Sequence, residues 1–151
     1  MAMTGTFPFD TALELEDGAA AITATEVNSG GEIDLGGGLV IGGLVINVTA
    51  CKVSAGDEGY QVELQGTNTT GFGTAGDNVI LASRDFGAHE TTGATAGDTG
   101  VDMATGTYYI PFTNDVAGTV YRFVRLKVTT TGTDETITYT AFLTQARTMG
   151  E

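Results

Sequence analysis

Apolar and polar residues alternate with a period of two along much of this chain, the pattern of strands with one face buried and one face wet. Tyr60-Gln61-Val62-Glu63-Leu64-Gln65 is the clearest case: Tyr60, Val62 and Leu64 share one face and the polar residues share the other. Thr136 to Thr144 repeats it, with Ile137, Tyr139, Ala141 and Leu143 set against Thr136, Thr138, Thr140, Phe142 and Thr144. Thr119 to Thr130 reads as one long β-branched strand with Val120, Val124, Leu126 and Val128 at even spacing and Arg122 on the same face. Thr107 to Phe112 is aromatic-rich, and Pro111, which cannot donate to a ladder, marks it as an edge strand or a strand end. Asn78 to Phe86, Leu39-Val40-Ile41, Leu44 to Val48 and the short Glu32 to Leu35 complete the regular runs. Gly42-Gly43 between two of these predicts either a hairpin turn or a bulge within one long strand. Ala19 to Val27 is open to strand or short helix, and Thr23, Thr25 and Val27 favour strand. About eight strands separated by turn signals, with no helical period, predict an all-β antiparallel sandwich. The jelly roll is its leading form. An immunoglobulin-like sandwich is the alternative, without the cysteine pair and tryptophan of the antibody branch.

Composition supports this reading. Glycine is abundant at 23 residues and threonine is plentiful, residue types that serve turns and pleated surfaces respectively. At 151 residues the chain suits one domain able to bury a core without covalent staples. We expect residues 1–12 to form an extended N-terminal arm and residues 13–151 a single β-sandwich domain. In the arm, Phe7-Pro8-Phe9 sets two aromatics around a proline that favours extended geometry, so both rings are expected to dock on the domain itself or on a neighbour. Residues 66–77 and 87–106 read as long loops of Gly, Thr, Ala and Asp/Asn. Ala-Gly-Asp recurs in them and at 55–57, as turn chemistry without a surrounding repeat.

Charge narrows the partners. Six Lys and Arg face nineteen Asp and Glu, a net −13, which repels phosphate and anionic membrane surfaces. Neither a nucleic acid nor a membrane partner is expected. The most apolar run, Leu39 to Val48, falls well short of the roughly 20 residues that a spanning helix needs. Met1 to Thr6 has neither the basic nor the apolar region of a secretory signal, so synthesis in a host cytoplasm is the expectation.

Candidate chemistry is thin. His89 is the sole histidine, set in a Gly/Thr loop beside Glu90, and nothing in the sequence resembles a nucleophile elbow, a phosphate loop or a dinucleotide fingerprint. No catalytic residue and no cofactor is therefore predicted. Asp98-Thr99-Gly100-Val101-Asp102 places two carboxylates in a flexible loop, and Asp98 and Asp102 are the candidate calcium ligands, without the spacing of the helical-loop motif. Cys51, the single cysteine, reads as a buried small hydrophobe in a strand. The basic residues cluster: Arg122, Arg125 and Lys127 fall on one expected strand, where an acidic partner would dock unless local acids claim them. A carbohydrate-binding module is the second class considered, with Tyr108 and Tyr109 as stacking residues and the two long loops forming its site.

Several segments together resemble a known family. Asn28-Ser29-Gly30-Gly31-Glu32-Ile33-Asp34-Leu35-Gly36 resembles the Ser/Thr…Ile-Asp-Leu-Gly stretch near the start of capsid cement (decoration) proteins of tailed phages of the Bbp16 type. Val62 to Thr67, Tyr121 to Leu126 and Ile137 to Leu143 are similar to later parts of that group. The Gly-rich 36–43 stretch and the 87–106 loop do not follow its pattern. The resemblance implies a jelly-roll-like domain, a homotrimer, bound to the outer surface of a virion shell. There it would bridge subunits of the major capsid protein, with Phe7, Phe9, Arg122, Arg125 and Lys127 as expected partner contacts and no catalytic residues.

Overall fold

The computed structural model describes residues 11–27, 31–53, 57–72, 78–87 and 105–145. Phe7, Phe9, His89, Asp98 and Asp102 lie outside them, and with them the arm contacts and the candidate calcium pair.

Alternation does what the sequence predicts in the four longest central strands. β4 (Ile41–Cys51), β5 (Gly59–Thr67), β10 (Phe123–Thr131) and β11 (Ile137–Gln145) each turn one set of side chains inward. Leu44, Ile46 and Val48, then Tyr60, Val62 and Leu64, then Val124, Leu126 and Val128, then Ile137, Tyr139, Ala141 and Leu143 all join one buried cluster. Burying an aliphatic side chain of this kind stabilises the fold by about 1.5–3 kcal/mol. The remaining strands are β1 (Glu14–Glu16), β2 (Glu26–Val27), β3 (Ile33–Asp34), β6 (Val79–Gly87), β7 (Gly106–Thr113), β8 (Asp115–Val116) and β9 (Thr119–Val120).

Their pairing is nested. β1 pairs with β11, β2 and β3 with β10, β4 with β7, and β5 with β6, all antiparallel. The chain is thus one long double-stranded ribbon folded at β5–β6. Rolling the ribbon adds the pairs β4–β11 and β5–β10 and yields two large sheets, ordered β1-β11-β4-β7 and β2-β10-β5-β6, with β3 also against β10, while β8 and β9 pair only with each other in a small two-stranded sheet. This is the jelly-roll arrangement, an antiparallel all-β sandwich. β7 is an edge strand, as Pro111 predicts.

Three sequence expectations change. Gly42-Gly43 makes no turn: the pair lies inside one long strand, β4, as the second alternative had it but in register and without a bulge, and the Tyr109 ring from β7 lies across the position a Gly43 Cβ would take. Ala19 to Val27 is not a continuous strand: Ile22 bridges Ile137, and only Glu26–Val27 joins a ladder. The run from Thr119 to Thr130 breaks at Tyr121-Arg122, so Arg122 stands outside β10 and not on one strand with Arg125 and Lys127. The break has a cause. The Tyr121 N–H donates to the Asn114 carbonyl, the Arg122 N–H to Asn68 Oδ1, and the Leu35 N–H to the Arg122 carbonyl. These backbone groups find partners off the ladder, so the strand need not continue.

Rolling the ribbon sends most connections from one sheet to the other, and each crossing strips backbone groups from a ladder. At one end Asn114, fully buried, collects them. Its Nδ2 donates to the carbonyls of Gly38 and Tyr121 at 3.0 and 2.9 Å, and the Val40 N–H donates to its Oδ1 at 2.7 Å. At the other end the Tyr60 hydroxyl donates to the Lys52 carbonyl at 2.8 Å and accepts the Thr136 N–H at 2.7 Å. Burial pushes this phenol up to about 12, so it stays a neutral donor. Beside it Gly132 holds φ at +113°, and a Cβ there would come within 2.6 Å of the Asp57 carbonyl.

Asn114→Ala removes the partner of three part-buried backbone groups and leaves a gap at a fully buried position, and should cost about 2 kcal/mol, read as a lower urea midpoint. Tyr60→Phe keeps the ring in the core and removes only the hydroxyl, for an expected loss of about 2 kcal/mol in the same measurement.

Candidate interaction face

The second sheet turns a polar outer face to solvent, built by the β5–β10 register. Arg125 stands opposite Gln65, Lys127 opposite Glu63 and Thr129 opposite Gln61. On the other side of β5, Asp85 and Ser83 of β6 stand opposite Gln61 and Glu63. The leucine zigzag inside thereby sets a row of amides and charges outside, because the side-chain period is two.

This row is locked. The Arg125 Nε donates to Gln65 Oε1 at 3.0 Å, and Gln65 Nε2 donates to Glu63 Oε2 at 3.1 Å. Arg125 also lies 4.2 Å over the ring of Phe72, a cation–π distance. Phe72 ends the short 3₁₀ turn Thr70–Phe72, which the Glu32 carboxylate anchors by accepting the Gly71 N–H at 2.7 Å. Glu63 and Gln65 are only 8% exposed although they point away from the core. Burial lowers the Arg125 pKa, and the nearby Glu32 charge opposes the shift.

The three basic residues thus meet different fates. Arg125 and Lys127 share this face, two positions apart on β10, both half-buried. Arg122 does not join them. Its Nε and Nη2 clamp the Asp34 carboxylate at 2.8 and 2.7 Å, tying the start of β10 to β3. The Gly36 N–H adds a third bond to the same carboxylate. The Arg122 guanidinium, first, and this N–H, second, hold Asp34 down to about 2, and Asp34 in turn raises Arg122.

Beyond Thr129 the face dips into a hollow of about 220 Å³ lined by Gly59, Tyr60, Gln61, Asp85, Thr129 and Thr131. Gly59, opposite both Thr131 and Gly87, contributes no side chain to fill it. Hydroxyl, amide and carboxylate groups ring the hollow. The expected stacking pair is elsewhere, because alternation sends its members to opposite faces. Tyr108 packs inward, 5.2 Å from the Phe86 ring in edge contact and under the Arg84 guanidinium at 4.3 Å. Tyr109 lies outward over Gly43.

Among the described residues no group of three or more His, Cys, Asp or Glu is placed to hold a metal ion, and no helix is long and apolar enough to cross a membrane. Cys51 is buried at the end of β4, as expected of a small hydrophobe. The Glu63–Gln65–Arg125 row and its Phe72 cover were not foreseen from sequence. The signal available was the spacing of Glu63 and Gln65 two residues apart on a strand, which gives a face but not its cover.

Fold and face define a class: an antiparallel jelly-roll domain carrying a rigid polar surface on one sheet. Comparison with protein-family models, curated proteins and solved structures finds no match to this chain.

The depressed Asp34 value has a sign that can be checked. The clamp contributes stability above the ordinary value of 3.8 and loses it as pH falls through about 2. A ¹³C-detected carboxylate titration should place Asp34 near 2, and Arg122→Gln should return its midpoint towards 3.8.

Proposed function

We propose that this protein is a capsid cement protein of the Bbp16 type, a viral structural protein that binds the outer surface of a phage shell and bridges major capsid protein subunits. The observation that carries the reading is the locked outer face of the second sheet. Arg125 is already ordered by Gln65, itself held by the buried Glu63, and by the Phe72 ring, so docking through this guanidinium costs little side-chain entropy. Such a preordered surface would suit a protein that binds many times over a lattice through modest contacts. The resemblance of the Ile33-Asp34-Leu35-Gly36 segment and the closing strands to that group supports the same reading. So does the net charge of −13, which suits the side of a shell facing away from packaged DNA. On this proposal the protein is a homotrimer, is no enzyme, takes no cofactor, and resides on the virion. Avidity across its symmetric copies converts weak single contacts into firm attachment. Phe7 and Phe9 belong to the expected contacts from sequence, but the reading stands on Arg125 and Lys127 without them.

One observation favours a second reading, a carbohydrate- or host-surface-binding module of a tail or fibre. The polar hollow beside Thr129, with Gln61 and Asp85 in its wall, offers the hydrogen-bonding groups a sugar needs.

Sedimentation of the purified protein with assembled shells of the encoding virus separates the two. Co-sedimentation is expected, with the native mass of three chains for the protein alone, and a several-fold loss of binding for Lys127→Glu. Shells that leave the protein in the supernatant, together with binding on a glycan array, would establish the second reading instead.

A further inference from the structure

The polar hollow on the second sheet is built from two rows of residues across three strands. In the first row Thr129 of β10 and Asp85 of β6 stand on either side of Gln61 of β5. In the second row Thr131 stands opposite Gly59, and Gly59 opposite Gly87. Two neighbouring positions without side chains thus lie beside a row of polar groups.

These polar groups differ from the locked row further along the same face. There Arg125, Gln65 and Glu63 are bonded in sequence. Here, among the described residues, no hydrogen bond or ion pair engages the side chains of Gln61, Asp85 or Thr129. Gln61 and Asp85 are exposed, and Thr129 is half-buried.

Size and charge select an occupant. A volume of about 220 Å³ is below the roughly 300–1,000 Å³ of sites that take drug-sized molecules. Thr129 and Asp85 are two strand spacings apart, roughly 10 Å. Two O–H···O bonds of about 2.8 Å take up more than half of that span and leave the width of one saturated ring. Asp85 is the one charged residue of the described lining, so a phosphate or carboxylate is repelled. An amine gains little from a single exposed carboxylate. Asp85 only accepts hydrogen bonds, whereas the Gln61 amide and the Thr129 hydroxyl both donate and accept. That set matches a row of hydroxyls, each able to give and to take a hydrogen bond.

We infer, resting on the second reading above, that the hollow binds one neutral sugar ring of a glycan. The ring lies over Gly59, where its C–H face can approach the backbone closely. Its hydroxyls donate to Asp85 and bond to Gln61 and Thr129. A single ring held by so few groups binds in the millimolar range, and symmetric copies of the protein would raise the strength for a whole glycan.

Methyl glucoside, methyl galactoside and methyl mannoside, titrated to tens of millimolar against the ¹⁵N-labelled full-length protein, test this. Glucuronate serves as the same kind of ring carrying a charge. At least one neutral glycoside should shift the amides of Gly59, Gln61, Asp85 and Thr129, saturably, and leave those of Leu44 and Ile46 in place. Glucuronate should bind several-fold more weakly. Asp85→Ala and Gln61→Ala, both at exposed positions, should each weaken the neutral ring about tenfold. Glucuronate shifts equal to those of the neutral rings overturn the ligand class, and no shift from any glycoside overturns the site. Glycan-array hits that Asp85→Ala leaves unchanged would keep the second reading and move its site elsewhere. An array without hits, together with no shifts, sinks both.

Discussion

Everything in this molecule depends on satisfying backbone groups where a rolled ribbon changes sheets. A ladder supplies partners only along its own length, and an unpaired buried N–H or carbonyl costs about 1–3 kcal/mol. Among the described residues, two buried side chains meet part of that demand at the corners. Asn114 serves the Gly38–Val40 and Tyr121 corners with all three of its amide bonds, while Tyr60 joins Lys52 to Thr136 across the opposite end. With the corners held, strands from distant parts of the chain lie side by side, and the β5–β10 register follows. That register is what places Arg125 against Gln65 and Lys127 against Glu63. The candidate face is therefore a product of the corners as much as of its own residues.

The face also shows how an acidic protein keeps its few cations. Arg122 is committed to Asp34, and Arg125 to Gln65 and the Phe72 ring. Neither is a loose charge waiting for a partner. Each guanidinium is held in a fixed direction by partners of its own chain, and so has little rotamer freedom left to lose.

Much of the sandwich was legible in the sequence, because a period of two is hard to counterfeit. The inward rows of β5, β10 and β11 follow directly from it, and Pro111 announced the edge at β7. What failed was local reading of positions whose conformation is set from afar. Gly42-Gly43 looks like punctuation until Tyr109 of another strand is laid over it. Tyr121-Arg122 looks like strand until Asn114 and Asn68 offer its backbone better-placed partners. Glu63 and Gln65 look solvated, yet both are buried, with Lys127 and Arg125 of β10 standing opposite them. In each case the deciding group comes from another element, which periodicity within one segment does not register. The candidate docking residues were half legible for the same reason: Arg125 and Lys127 share a face by spacing alone, whereas the fate of Arg122 rests on an aspartate in β3.

The nested pairing of the ribbon bears on how the protein is made. β1 finds its neighbour only in β11, and β4 lies between β7 and β11, both of which are translated after it. A nascent chain leaving the ribosome cannot complete the first sheet piecemeal, so its early apolar strands must wait, unpaired, for the late ones. The β5–β6 hairpin, the one local pairing between long strands among the described residues, can form as soon as it emerges, and is the natural seed. For such a topology, vectorial synthesis is a period of exposure, and abundant surface charge of one sign is what keeps waiting chains apart.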